Sequence, residues 1–314
     1  MLRFVLRRLA ASVPVLALVS LMSFAIIWLV PGDASAIILD ASATPEAIER
    51  VRRELGLDKP VLVQMAQWYG RILQGDLGQS ILLNRSVAAA IVERLPVTLA
   101  LTGMGLVFAV LLGLVAGVLA AVRHNRWTDQ SIMILALLGL SLPEFWLGLI
   151  LIYGFAVKLG WFPSGGYVEF AASPLGWWRS MALPAFTLAI VQVGIVARMT
   201  RSSMLEVLNQ DFIRTAEAKG LPSGYVVVRH ALPNALVPIV TVAGIIAGSM
   251  LGGAVVVEQV FALPGVGRLI IGAILSRDFP VVQGGLLFLA VIYLFVNLVV
   301  DVVYAAVDPR VRLE

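Results

Sequence analysis

Few side chains in this sequence have the type and spacing for bond-making chemistry. The two histidines, His124 and His230, stand in separate polar stretches, with no His-Glu-x-x-His string near either. There is no cysteine, so a thiolate metal site and a disulfide framework are both excluded. No glycine-rich string ending in lysine and serine or threonine is present to cradle phosphates, and no serine elbow is present. Binding chemistry is more visible. Residues 211–236 read DFIRTAEAKGLPSGYVVVRHALPNAL and carry a concentration of charge between two long apolar runs. Asp211 suits the cap of a helix through Phe212, Ile213, Thr215, Ala216 and Ala218. Gly220 suits the left-handed residue that ends it, and Pro222 prevents continuation. The expected product is a short, rigid, small-sided helix, built to seat in a cleft of another protein. Packing is the expected role of His230, where this stretch turns back toward an apolar run.

The elements that position this stretch follow from composition. The 314 residues are 60% apolar and 13% charged, which describes a chain whose solvent is a bilayer. Six spans are expected, at about 9–30, 95–122, 131–158, 181–200, 234–257 and 283–305. Each reaches the roughly 20 residues needed to cross the hydrocarbon. The N-terminus, the 123–130 and 198–230 loops and the C-terminus hold 12 of the 23 basic residues, whereas Lys158, Arg179, Arg268 and Arg277 alone fall in the two short loops opposite. That asymmetry puts both termini in the cytoplasm and residues 31–94 outside. A net charge of +4 in such a chain is accounted for by cytoplasmic loops and does not suggest nucleic acid. A cleavable signal peptide is the competing reading of the first span, through Arg3, Arg7, Arg8 and Ala34-Ser35-Ala36. Its apolar run exceeds the usual signal core, and its removal would disturb the even count of spans.

Residues 31–94 carry two amphipathic stretches: one from Thr44 and Pro45 through Ile48, Val51 and Leu55 to Gly56, the other after Pro60 through Leu62, Met65, Tyr69 and Ile72 to Gly75. Gly113 and Gly117, and Gly244, Gly248 and Gly252, recur at four-residue intervals that let helices approach closely, within one chain in preference to a subunit seam. Pro143 interrupts the third span, where a kink or cavity is expected. Glu144 beside it is a carboxylate near mid-span, to be satisfied by a neighbouring helix or subunit or by contact with a substrate path. The segment Glu258 to Pro280 surrounds an apolar stretch, Leu269 to Leu275, that is too short to span, and a half-inserted helix is expected there.

The polar stretch resembles the cytoplasmic coupling loop of ABC importer permeases, with Ala216, Gly220, Leu232 and Pro233 in register. Arg214, Thr215 and His230 depart from the general pattern and are similar to its peptide and nickel branch. Gly75-Asp76-Leu77-Gly78, Phe261, Leu263-Pro264-Gly265, Gly267 and the Asp308-Pro309-Arg310 tail extend the resemblance over essentially the whole chain. It implies an all-α polytopic protein of type I ABC importer (MetI-like) fold, with about six transmembrane helices, in a bacterial inner membrane. The implied division is 1–30 for the N-terminal tip and first helix, 31–94 for an outward helical insertion, and 95–314 for the permease core with its coupling loop at 201–233. The resemblance further implies ATPase coupling through Arg214, Thr215, Ala216, Glu217, Ala218, Lys219, Gly220, Leu221, Leu232 and Pro233. A translocation path is expected beside Pro143, Glu144, Glu258 and Phe261. Expected partners are a second homologous permease, two ATPase subunits, an extracytoplasmic substrate-binding protein and the lipid bilayer. ATP and Mg2+ belong to the ATPase partners, and no cofactor is expected in this chain. Dipeptides or oligopeptides are the implied cargo, with nickel or another small solute as the alternative. A secondary transporter would need inverted repeats or midplane ion ligands, and an intramembrane enzyme a nucleophile and base at matching depth.

Overall fold

The fold, taken from a computed structural model, is described for residues 2–29 and 58–307. The expected helix from Thr44 to Gly56 and the Asp308-Pro309-Arg310 tail lie outside the described residues. Apart from an isolated bridge between Gln79 and Ser86, regular structure among the described residues is helical. In chain order the elements are α1 (Leu2–Leu29), α2 (Val61–Leu73), α3 (Val87–Val122), α4 (Trp127–Ser141) and α5 (Glu144–Leu151), which continues as a π-helical stretch, Ile152–Lys158. Then come α6 (Pro174–Leu208), α7 (Asp211–Ala218) and α8 (Ser223–Tyr225), which runs through a π-helical stretch, Val226–Ala231, into α9 (Leu232–Val260). The chain closes with α10 (Val266–Leu275) and α11 (Phe279–Val307).

Among the described residues five helices are long and apolar enough to cross a membrane, and α4 with α5 and its π-helical extension makes a sixth if the bent pair is one span. Apolar content located these spans but not their ends. The 36 residues of α3 run about 54 Å, well beyond the ~30 Å of hydrocarbon, because a helix that satisfies its own backbone continues into water. At Pro143 the expected kink is a bend of 108° between α4 and the helix that follows. Leu142 (φ −87°, ψ 131°) and Pro143 (φ −62°, ψ 135°) are both extended. The pyrrolidine ring disfavours the helical conformation for the residue before it and removes the N–H that would continue the ladder.

The chain divides into two compact units. The larger comprises Met1–Val5, Val97–Pro264 and Phe295–Glu314. Its most buried long helix is α6, whose Met181, Leu188, Val196 and Met204 are inaccessible. Lipid is as apolar as leucine, so helix association here depends on close packing rather than escape from water. The expected close approaches are present: a Cβ built on Gly113 would lie 2.5 Å from Val196 Cβ, and one on Gly117 would collide with Thr200. Gly244 is likewise pressed against Val300, whereas Gly252 has open space around it.

The smaller unit comprises Leu6–Pro96 and Gly265–Leu294. In it α2 begins after Pro60, as its sequence suggests, and buries Trp68 against Phe24 and Leu287, flanked by Met65, Tyr69 and Ile72. Leu62, expected on that face, is 74% exposed. The first turn is instead tied down by Gln64, whose Nε2 donates to the Lys59 carbonyl at 2.8 Å. Asp278 is buried and accepts from Ser80 Oγ at 2.5 Å and from the backbone N–H groups of Ile81 and Leu82, which fixes the 80–83 turn beside α10.

Candidate functional site

Helix α7 is amphipathic on the scale of two turns. Ile213 and Ala216, three residues apart, are buried in a cluster with Ala121, Val196, Met204, Val226 and Ala235. Phe212, Arg214, Thr215, Glu217, Ala218, Lys219 and Gly220 remain exposed. Of the expected coupling set, Ala216 is therefore the anchor, and its neighbours form the accessible surface. Leu221 and Leu232 are half-buried, and Pro233 is exposed in the first turn of α9.

The two ends of α7 differ in how they are closed. Asp211, expected as the cap, is the first helical residue, and Gln210 occupies the cap position without a side-chain bond. The Asp211 carboxylate still opposes the positive end of the helix dipole, and its 3.6 Å approach to Arg214 Nη1 is too exposed to add much. At the other end, Gly220 N–H donates to the Glu217 carbonyl at 2.9 Å and Leu221 N–H to the Ala216 carbonyl at 3.4 Å. These are the paired bonds of a Schellman closure, which requires a left-handed residue, and Gly220 supplies φ +77°. Pro222 (φ −61°, ψ 138°) then turns the chain into α8. The His230 ring packs edge-on against Tyr225, with centroids 5.7 Å apart. Pro233 cannot donate to the helix ladder, and the π-helical stretch precedes it, with Asn234 Nδ2 donating to the His230 carbonyl at 2.6 Å.

One ion pair of this region went unread in the sequence. Arg201, near the end of α6, grips Asp129 of α4 with two bonds, Nε to Oδ1 at 2.6 Å and Nη2 to Oδ2 at 2.7 Å. Asp129 also accepts from Asn125 N–H at 2.9 Å, and His124 Nδ1 lies 3.1 Å from Arg201 Nη2. The turn between α3 and α4 is thereby fastened to α6.

The four residues expected beside a path are in two settings. Glu258 and Phe261, at the end of α9, are wholly enclosed. Glu258 Oε1 accepts from Thr98 Oγ1 at 2.5 Å. The Phe261 carbonyl accepts from Gly166 N–H at 2.9 Å, and the Glu258 carbonyl from Leu263 N–H at 2.9 Å. Pro143 is exposed at the bend, and Glu144 follows it, half-buried, its carboxylate lying over Gly253 of α9.

Residues 113–313 match the family described as binding-protein-dependent transport system inner membrane component. Residues 1–102 match the family describing the N-terminal part of such membrane components. A Brucella abortus (strain 2308) protein, provisionally named a peptide transport system permease protein, is 49% identical over 310 residues, 99% of each chain. The glutathione transport system permease protein GsiC of Escherichia coli (strain K12) is 42% identical over 314 residues, covering both chains completely. Among solved structures, a chain of the inward-facing MetNI methionine ABC transporter superposes with a TM-score of 0.57 at 23% identity, covering 70% of this chain and 97% of that one. At that identity the likeness concerns the fold.

Proposed function

Because the chain belongs to the family of binding-protein-dependent transport system inner membrane components, we propose that it is the permease subunit of an ATP-driven ABC importer whose cargo is a peptide. The observation that carries this reading is α7, an exposed helix of eight residues closed by Gly220 and anchored through Ile213 and Ala216. A helix so anchored cannot move without moving α3, α6 and α9, whose side chains share its cluster. When two ATPase subunits close around ATP and Mg2+, the coupling surface formed by Arg214, Thr215, Glu217, Ala218, Lys219 and Gly220 travels with them. Leu221, Leu232 and Pro233 border that surface. Hydrolysis supplies the free energy, and this chain converts a rigid-body displacement into a shift between inward-open and outward-open states. Nucleotide chemistry belongs to the partners, and this chain contributes neither a catalytic group nor a cofactor.

The remaining assignments follow the same division of labour. Residues 1–30 form the N-terminal tip and first helix, 31–94 face outward to meet a substrate-binding protein, and 95–314 form half of a path completed by a second permease. Both termini and the coupling loop at 201–233 face the cytoplasm. Pro143, Glu144, Glu258 and Phe261 lie beside the path, with Glu258 and Phe261 enclosed at the end of α9.

The test is reconstitution of the complete complex in proteoliposomes. Labelled peptide should enter only with ATP and binding protein present, and entry should survive collapse of the ion gradients. Uptake that follows an ion gradient after ATP is exhausted would make this a secondary transporter. ATP-driven uptake of nickel without peptide would retain the machinery and replace the cargo.

A further inference from the structure

We propose that Glu144 accepts the cationic amino terminus of the peptide in transit, an assignment that rests on the peptide-import reading above. Among the described residues, the three fully buried carboxylates are each given donors: Arg201 and Asn125 N–H for Asp129, Thr98 for Glu258, Ser80 with two backbone N–H groups for Asp278. Glu144 has no hydrogen-bond or ion-pair partner among the described residues, although it lies within the broken span. A carboxylate at such depth is costly unless something compensates it, and the amino end of α5 offers only a partial charge.

The carboxylate is seated in the space that a side chain at Gly253 would fill. A Cβ on Gly253 would lie 2.7 Å from Glu144 Oε2 and 2.8 Å from Oε1, with Leu188 Cδ1 at 2.9 Å. The site is thus a single negative charge on an apolar wall, at the point where α5 turns away from α4. Its chemistry selects the ligand. One carboxylate cannot supply the several oxygens that a divalent cation needs in place of its water, but it matches one ammonium. Every unblocked peptide carries such a group, ionised at neutral pH.

The experiment uses the complete complex in proteoliposomes, with trialanine and N-acetyl-trialanine as cargo and uptake normalised to ATP hydrolysed. Glu144→Gln should lower the ratio of trialanine to N-acetyl-trialanine uptake about tenfold, with full recovery of the second permease and the ATPases. Gly253→Ala should displace the carboxylate and lower the ratio in the same direction, and should add little to Glu144→Gln, since both act on one contact. A second readout depends less on cargo choice. Glu144→Cys, in a chain with no native cysteine, should react with a water-soluble cationic thiosulfonate, and trialanine-loaded binding protein should slow that reaction. An unchanged ratio in Glu144→Gln, or a thiol at 144 that never reacts, overturns the assignment alone. Loss of the second permease on Glu144→Gln overturns it too, placing the carboxylate at the subunit seam. Failure of the unaltered complex to import either peptide overturns the import reading itself, and this assignment with it.

Discussion

Arg201 and Asp129 are 72 residues apart in sequence and joined by two short bonds, with the Asp129 side chain only 3% exposed. Removing one member leaves the other buried without its counter-charge. Arg201→Met should therefore destabilise the detergent-solubilised chain by about 3 kcal/mol, read from its unfolding midpoint. The double change Asp129→Leu with Arg201→Met should recover part of that loss, because no lone charge remains. A single variant as stable as the parent would show that water reaches Asp129. Nothing local in the sequence announces such a pair, since a long-range ion pair has no period and no cap. Gly220 is the opposite case: a left-handed closure needs a residue type that can be read directly, and the helix it ends starts within one residue of the expected place. Asp211 was misplaced because an acid is favourable both at the cap and in the first turn.

At the scale of elements, the small-residue intervals separate into packed and open positions that sequence alone could not distinguish. Gly113 and Gly117 face Val196 and Thr200 of α6, but Gly252, on the same kind of interval, meets nothing within 4 Å. Gly117→Leu should force α3 from α6 and cost about 2 kcal/mol, whereas Gly252→Leu should leave the folding of the isolated chain unaffected. Thermal unfolding of the two variants in the same detergent makes the comparison. Equal stability would mean that the helices part without penalty. The spans were legible from apolar content, their ends were not, and the size of the bend at Pro143 depends on what α5 packs against rather than on the proline itself. Leu62 shows the same limit within α2, where helical periodicity places a residue on a face but does not say whether the first turn is covered.

For the whole molecule, orientation and coupling are separate claims. The proposed orientation, 31–94 outside and 201–233 inside, rests on the basic-residue asymmetry, and both Asp58 and Lys219 are exposed. A cysteine introduced by Asp58→Cys should react with an impermeant thiol reagent in intact spheroplasts, and one introduced by Lys219→Cys only after the membrane is opened. The reverse pattern would invert the chain. Membrane class was readable from composition, and the fold was implied by the resemblance that the 211–236 stretch carries, whereas the enclosure of Glu258 and Phe261 depends on packing between segments far apart in sequence. The most direct measurement concerns Gly220, because a β-branched residue there meets a left-handed φ of +77° with no steric neighbour to blame. The cost, about 1–2 kcal/mol, would fall on the closure of α7 alone. Gly220→Val is compared with Val228→Ala, an exposed position on the returning arm, at equal membrane abundance in the complete complex. The account predicts that Gly220→Val loses ATPase subunits on purification, or hydrolyses ATP without importing peptide, while Val228→Ala does neither; equal ATPase recovery and equal uptake in the two variants would contradict it.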